Sequence, residues 1–292
     1  MANINSQNDS NNELMKGLNN QTVFLSELLK QRYPDVCNNL LTILERHNIT
    51  YSFLKGTKDI WCRDYMPIQN TSGKLIQFRY DPSYLKGKQE WEESRSDVNE
   101  VCKENGINPT FSDINLDGGN VLLCDGRAII SDRIYKENED SPKWSDKEAL
   151  KTELSRLLEA EIIIIPSQKG DMTGHADGMV RFVDRNTLLG NNRADEYKYW
   201  QEGINKVVNQ YNLDYIDIPF FINKGAIGIY VNYLEVQNII ILPTFGIDES
   251  KDIETVQLFK SIFPNKIIET INYNDIAKEG GLLNCTTWVL SK

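Results

Sequence analysis

The chain has 292 residues, 40% of them hydrophobic and 25% charged, with a formal net charge of −10. These are values of an ordinary globular chain, long enough for one large domain or two of common size. The acidity argues against nucleic acid and anionic membrane surfaces as partners and favours small cations, and no apolar run approaches the ~20 residues of a membrane helix.

Five amphipathic stretches, taken in chain order, predict helices at 22–47, 91–105, 145–160, 196–211 and 249–263. In the third, Leu150, Leu154, Leu157 and Leu158 recur at helical spacing. Each is followed by a short apolar run that predicts a buried strand, at 51–54, 110–114, 162–165, 215–218 and 266–271. The strand starts are 59, 52, 53 and 51 residues apart, a near-constant period. After each strand a loop leads to another apolar stretch, usually a hairpin. Residues 121–124 and 128–130 meet across Asp125-Gly126, 179–183 and 187–189 across Arg185-Asn186, and 230–235 pairs with 239–242. The fifth copy has only 285–290, so the N-terminal part is expected to close the ring. Five copies of this unit predict an α/β fold with pseudo-fivefold symmetry, in preference to an open sheet. Equivalent loops of such a ring meet at one end of its axis.

The polar residues of those loops keep step with the repeat. The first loop holds Trp61, Cys62, Arg63, Asp64 and Pro67, and the second Asp117, Gly118, Gly119 and Asn120. Gly174, His175 and Asp177 lie in the third, Tyr230 and Asn232 in the fourth, and Gly280, Gly281, Asn284 and Cys285 in the fifth. Asp64 and Asp117 are 53 residues apart, Asp117 and Asp177 are 60 apart, and Asn232 and Cys285 are 53 apart.

Taken singly, these residues have bland explanations. A cysteine near a C-terminus is most often a small buried hydrophobe, and an aspartate in a loop is most often a turn former. The double glycine ahead of Cys285 allows close backbone approach. His175 is one of two histidines, and His47 falls late in a predicted helix. In a strand, His175 and Asp177 would share a face. A metal site is not expected, because no second histidine is available to His175. The five cysteines (Cys37, Cys62, Cys102, Cys124 and Cys285) are odd in number and widely spaced. They suggest neither a disulfide framework nor a zinc site, and a reducing, cytoplasmic setting fits them. Residues 1–21 are polar, without a basic start and apolar stretch of the secretory kind, and are expected as a frayed tail before a single domain at 22–292. Taken together, the acids suit a guanidinium, a planar forked cation that carboxylates match with bidentate hydrogen bonds. A thiolate can attack its central carbon while a histidine moves the protons.

A W-x-R-D-x-x-P loop, an acid-G-G loop, G-H-x-D, Y-x-N and a terminal G-G-x-x-x-C, in register with the repeats over residues 50–290, are highly specific in combination. In these motifs the sequence resembles the agmatine deiminase and Porphyromonas-type peptidyl-arginine deiminase family of the pentein superfamily. The resemblance implies a five-bladed α/β propeller and hydrolysis of a guanidine to a urea and ammonia without a cofactor. It implies Cys285 as the nucleophile that forms a thiouronium, His175 as proton shuttle, and Asp64 and Asp177 as the grip on the guanidinium nitrogens. Asp117 would support the histidine, Trp61 would line the substrate slot, Asn232 would help shape the site, and Arg63 would brace its loop. Met66 and Asn284 stand where agmatine deiminases usually carry glycine and histidine. An agmatine-like small cation is the first expectation for the substrate. Peptidyl-arginine or free arginine, amidino transfer to an amine, and a non-catalytic binding ring are the alternatives.

Overall fold

The computed structural model describes residues 21–221 and 225–291. The expected tail at 1–21 lies outside the described residues except for Gln21, which begins a strand. Fifteen strands form five three-stranded sheets among the described residues. The first sheet joins β15 (Trp288–Ser291), β1 (Gln21–Ser26) and β2 (Thr50–Leu54). The second joins β3 (Ile68–Gln69), β4 (Leu75–Arg79) and β5 (Thr110–Asn115), and the third β6 (Val121–Cys124), β7 (Arg127–Ser131) and β8 (Glu161–Ile165). The fourth joins β9 (Val180–Asp184), β10 (Thr187–Asn191) and β11 (Asp214–Ile218), and the fifth β12 (Leu234–Val236), β13 (Ile239–Thr244) and β14 (Ile267–Asn272).

Every sheet has the same pattern. An inner strand runs antiparallel to the middle strand, and the middle strand runs parallel to the outer one. A parallel pair needs a crossover, and a helical segment supplies it each time. Residues of all five inner strands surround one axial cavity of about 420 Å³, which identifies the arrangement as a closed five-bladed α/β propeller.

Strand β1 closes the ring and corrects the sequence expectation of one helix over 22–47. Thr22, Val23 and Phe24 are β-branched or aromatic and pair with both β15 and β2. Ser26 ends the strand and caps the helix Glu27–Arg32 by accepting from the Leu28 N–H, and Pro34 starts a second helix, Pro34–Arg46. The helix expected at 91–105 is likewise two, Gln89–Glu93 and Val98–Glu104, and Asp97 caps the second through Asn99 and Glu100. The other three expected helices occur at Lys147–Leu158, Lys198–Gln210 and Glu249–Ile262. Asp125 and Gly126 both take positive φ, as the tight hairpin between β6 and β7 requires. Two expected strands are shorter than the sequence suggested. Tyr230–Tyr233 and Cys285–Thr287 belong to links, and β12 and β15 start only at Leu234 and Trp288.

Those links set up the chemistry. Each runs from the outer strand of one sheet to the inner strand of the next, at 55–67, 116–120, 166–179, 219–233 and 273–287. Because the outer strands are equivalent, all five links leave at the same end of the ring. Among the described residues no helix is long and apolar enough to cross a membrane.

The closing strand is testable. Leu25 is fully buried in the largest core cluster, beside Val23 and Leu29. Leu25→Ala is expected to cost about 2–5 kcal/mol in denaturant unfolding; a cost below about 1 kcal/mol would show that β1 does not hold the ring shut.

Candidate active site

The links are tied to one another by their backbones. The Arg63 N–H donates to the Cys285 carbonyl at 3.1 Å, and the Asn284 N–H reaches the Asn232 carbonyl at 3.4 Å. The Asn232 side chain extends this clamp. Its oxygen accepts from the N–H groups of Asn284 at 3.0 Å and Cys285 at 3.4 Å, and its amide nitrogen lies 3.3 Å from Cys285 Sγ and 3.3 Å from the Asp177 carbonyl. Asn232 therefore sets the position of the cysteine and of the third link together.

Two groups of side chains face each other over this clamp. In one, His175 Nε2 bonds Asp117 Oδ2 at 2.9 Å, while Nδ1 lies 3.5 Å from Asp64 Oδ1. In the other, Cys285 Sγ lies 3.8 Å from Asp177 Oδ2. The second link joins the two groups at Gly119. A Cβ built there would fall 2.5 Å from Asp64 Oδ1, 2.7 Å from His175 Nδ1 and 3.4 Å from Asp177 Oδ2. Glycine thus lets three polar side chains pack directly against its backbone, where a Cβ would collide with two of them, and its own N–H donates to Asp64 at 3.2 Å. Gly281 has a similar role in the fifth link, since a Cβ there would lie 2.4 Å from the Trp61 ring. Trp61 is half-buried against that bare backbone.

The structure thus brings Asp64, Asp117, His175, Asp177, Asn232 and Cys285 into one pit, with Trp61 flanking the fifth link. His175 does not lie in a strand. It precedes the short 3-10 turn Ala176–Gly178, and this turn gives His175 and Asp177 their separate neighbours. Arg63 donates through Nε to the Asn284 carbonyl at 3.4 Å, which braces the loop.

Two further residues join the pit without a strong signal in sequence. Asn284 donates its side-chain N–H to Asp177 Oδ2 at 2.7 Å and is buried; only its place beside Cys285 marked it. The Tyr84 hydroxyl donates to Asp117 Oδ2 at 2.9 Å, and its ring meets His175 edge-on with centroids 6.0 Å apart. Tyr84 comes from the excursion after β4, outside the repeating links.

His175, Asp64, Asp117 and Asp177 are all buried. Burial pulls the imidazole pKa down, but Asp64, Asp117 and Asp177 outweigh it and push His175 up to about 10. Burial raises Asp64 to about 8, helped by Asp117, Asp177 and Asp59 and opposed by His175. Burial also holds the Cys285 thiol well above its usual range, and the charges of Asp177 and Asp64 add to this. The pit thus holds a protonated imidazole among acids that it does not fully neutralise, next to a thiol that stays protonated. Among the described residues no group of three or more His, Cys, Asp or Glu has the geometry to hold a metal ion.

A family model described as Porphyromonas-type peptidyl-arginine deiminase matches residues 21–290. A Mycoplasma mycoides protein provisionally named as an agmatine deiminase is 23% identical, across 78% of this chain and 74% of its own length. Among solved structures, the C. jejuni agmatine deiminase superposes with a TM-score of 0.74 at 18% identity, covering 94% of this chain and 95% of that one. The Enterococcus faecalis agmatine deiminase gives 0.72 at 15% identity and covers 94% of each. At these identities the structural likeness bears on the fold, and the five-bladed ring is what is shared.

The charge state of His175 can be read directly, because the chain has two histidines. In an NMR titration its imidazole should stay protonated through pH 8 and lose its proton near 10. Asp117→Asn should lower that midpoint by removing an adjacent charge. Titration of native His175 near the usual ~6.5 would show that the acids do not act on it together.

Proposed function

The chain belongs to the Porphyromonas-type peptidyl-arginine deiminase family, and we propose that its pit hydrolyses a small cationic guanidine to a ureido product and ammonia. The observation that carries this reading is the convergence of Asp64, His175 and Asp177 on the bare backbone of Gly119, with Cys285 Sγ beside Asp177. A guanidinium is planar and permanently charged, and it can bond two carboxylates through separate N–H pairs. Held on Asp64 and Asp177, it places its central carbon next to the sulfur. Each charge-assisted contact of this kind is worth about 1.5–3 kcal/mol.

The proton inventory follows from the pKa directions. His175 is already protonated, so it is poorly suited to deprotonate the thiol. The arriving substrate charge lowers the thiol pKa, and the thiol proton leaves to solvent. Cys285 then forms a C–S bond at the guanidinium carbon. The C–N bond to one NH2 group breaks as His175 donates its proton, ammonia leaves, and a cationic thiouronium remains. Neutral His175 takes a proton from water as the water oxygen attacks the same carbon. The C–S bond breaks, sulfur departs as thiolate, and loss of the hydroxyl proton completes the urea. Asp117 and Tyr84 orient the imidazole, while Asn232 and Asn284 hold the sulfur and Asp177 in place. Trp61 lines the substrate slot.

This scheme ties binding to proton release. Asp64, with a pKa of about 8, is mostly protonated at pH 7, and a bound cation favours its ionised form. A group with a raised carboxyl pKa is ready for the cation only above that pKa, so affinity should rise with pH up to about 8 and then level. Titration calorimetry of Cys285→Ala protein with agmatine at pH 7, in two buffers of different ionisation enthalpy, should report release of about one proton. Release should fall toward zero at pH 9 and disappear in Asp64→Asn protein; binding without release at pH 7 would remove Asp64 from the grip.

Agmatine is the preferred substrate in this reading. Free arginine needs a cationic partner for its carboxylate, but Arg63 and Arg181 line the axial cavity, Arg79 is exposed at the end of β4, and Arg133 is bonded to Glu137 and Ser83. An acidic chain also favours a dication over a zwitterion. Purified protein should release ammonia and a ureido product from agmatine with a higher kcat/KM than from arginine or a blocked arginyl peptide, and Cys285→Ser should lose at least about 10³-fold. A peptide preferred by more than about tenfold, or ~1.4 kcal/mol, would replace agmatine with peptidyl-arginine. Amidino transfer to an added amine without ammonia would replace hydrolysis with transfer.

A further inference from the structure

The axial cavity is a second polar space, separated from the pit by a thin floor. At about 420 Å³ it has room for on the order of ten waters. Arg63, Gly118 and Asn284 lie at its pit end, and Gln21, Gln69, Gln237, Lys266 and Ser291 toward the other. Its charged lining is Arg63, Arg181, Lys266 and a lone carboxylate, Glu235. Glu235 is engaged in an ion pair with Lys266, which leaves two guanidinium groups.

Neither guanidinium has a carboxylate at ion-pairing distance among the described residues. Arg63 donates to the Asn284 carbonyl at 3.4 Å, and Arg181 donates to the Tyr233 carbonyl at 3.4 Å with its guanidinium 4.6 Å from the centre of the Tyr233 ring. These are long bonds to neutral acceptors, and they use few of the five N–H donors on each group. Arg63 also feels Asp64 and Asp177 through the floor, whereas burial and the charge of Arg181 lower its pKa. Two cations facing one space with no carboxylate at pairing distance repel each other, and a negative charge between them relieves this. In a chain of net charge −10, this local excess is against the overall trend.

We propose that the axial cavity binds a small oxyanion between Arg181 and Arg63, with Arg181 as the principal anchor. The planar N–H forks match a phosphate or a carboxylate through paired hydrogen bonds. Around the far end Gln21, Gln69 and Ser291 are bonded to one another, so the guanidinium forks carry the recognition. The site rests on the cavity and its cations, so it stands apart from the reaction in the pit.

The test is direct binding of inorganic phosphate and, separately, acetate to the full-length protein by calorimetry, with chloride at equal ionic strength as the reference. Saturable binding of either oxyanion over chloride is expected, and a response to phosphate alone or to acetate as well tells the two sources apart. Arg181→Gln should weaken it at least tenfold and Arg181→Lys less, while Glu235→Gln should tighten it by removing the one opposing carboxylate. No binding beyond chloride, or undiminished affinity in Arg181→Gln, would overturn the proposal. If Arg181→Gln fails to fold, affinity unchanged or weakened in Glu235→Gln would overturn it equally.

Discussion

Most of what distinguishes this molecule follows from placing three carboxylates around one buried imidazole. Like charges out of water raise one another's pKa values, and a single protonated histidine compensates only part of the excess. Asp64 carries the remainder as a raised pKa. The arrangement persists because neutral donors hold the acids individually: the Gly119 N–H on Asp64, the Tyr84 hydroxyl on Asp117 and the Asn284 amide on Asp177. Those donors satisfy lone pairs without cancelling charge. The pit is thereby held in a state that a cation completes, which is the preorganisation that electrostatic catalysis depends on.

The ring explains how residues so distant in sequence reach one pit. Every outer strand ends at the same end of the axis, and every link continues into the inner strand of the next sheet. No link carries the whole site. Each contributes one or two side chains, and the backbone contacts between Arg63 and Cys285 and between Asn232 and Asn284 fix their spacing. Rigidity therefore comes from the sheets and from link-to-link bonds, so β1 matters to the pit although it places no side chain there. Without β1, β15 would have no partner, and β15 anchors the link that carries Cys285.

Much of this was legible in the sequence because the repeat and the chemistry share one period. The spacing of Asp64, Asp117, Asp177, Asn232 and Cys285 follows the links, so the pattern announced both the ring and the residues that meet at its axis. Errors arose where local and tertiary preferences diverge. Residues 22–26 continue an amphipathic pattern into a helix, yet they are a strand because β15 and β2 both need a partner. Tyr230 and Cys285 open apolar runs that look like strands, but close contacts between links keep them irregular. Tyr84 was invisible because its excursion after β4 has no counterpart in the other blades. The side chain of Asn284 carried no signal of its bond to Asp177, since an amide beside a cysteine specifies no partner.

The floor between pit and cavity has opposite electrostatic character on its two sides. Above it, acids exceed cations; below it, cations exceed acids. Arg63 belongs to both sides, because its charge acts on Asp64 and Asp177 while its guanidinium lines the axial cavity. Its Nε bond to the Asn284 carbonyl places that guanidinium one residue from Cys285. A charge placed in the cavity would add its own field to the one that Arg63 contributes to the pit, since the two spaces share this cation and a thin layer of protein. The net charge of −10 is therefore a poor guide to either space alone. What governs each is where the ring directs its few half-buried cations, and Arg63 is the residue through which the two local balances are linked.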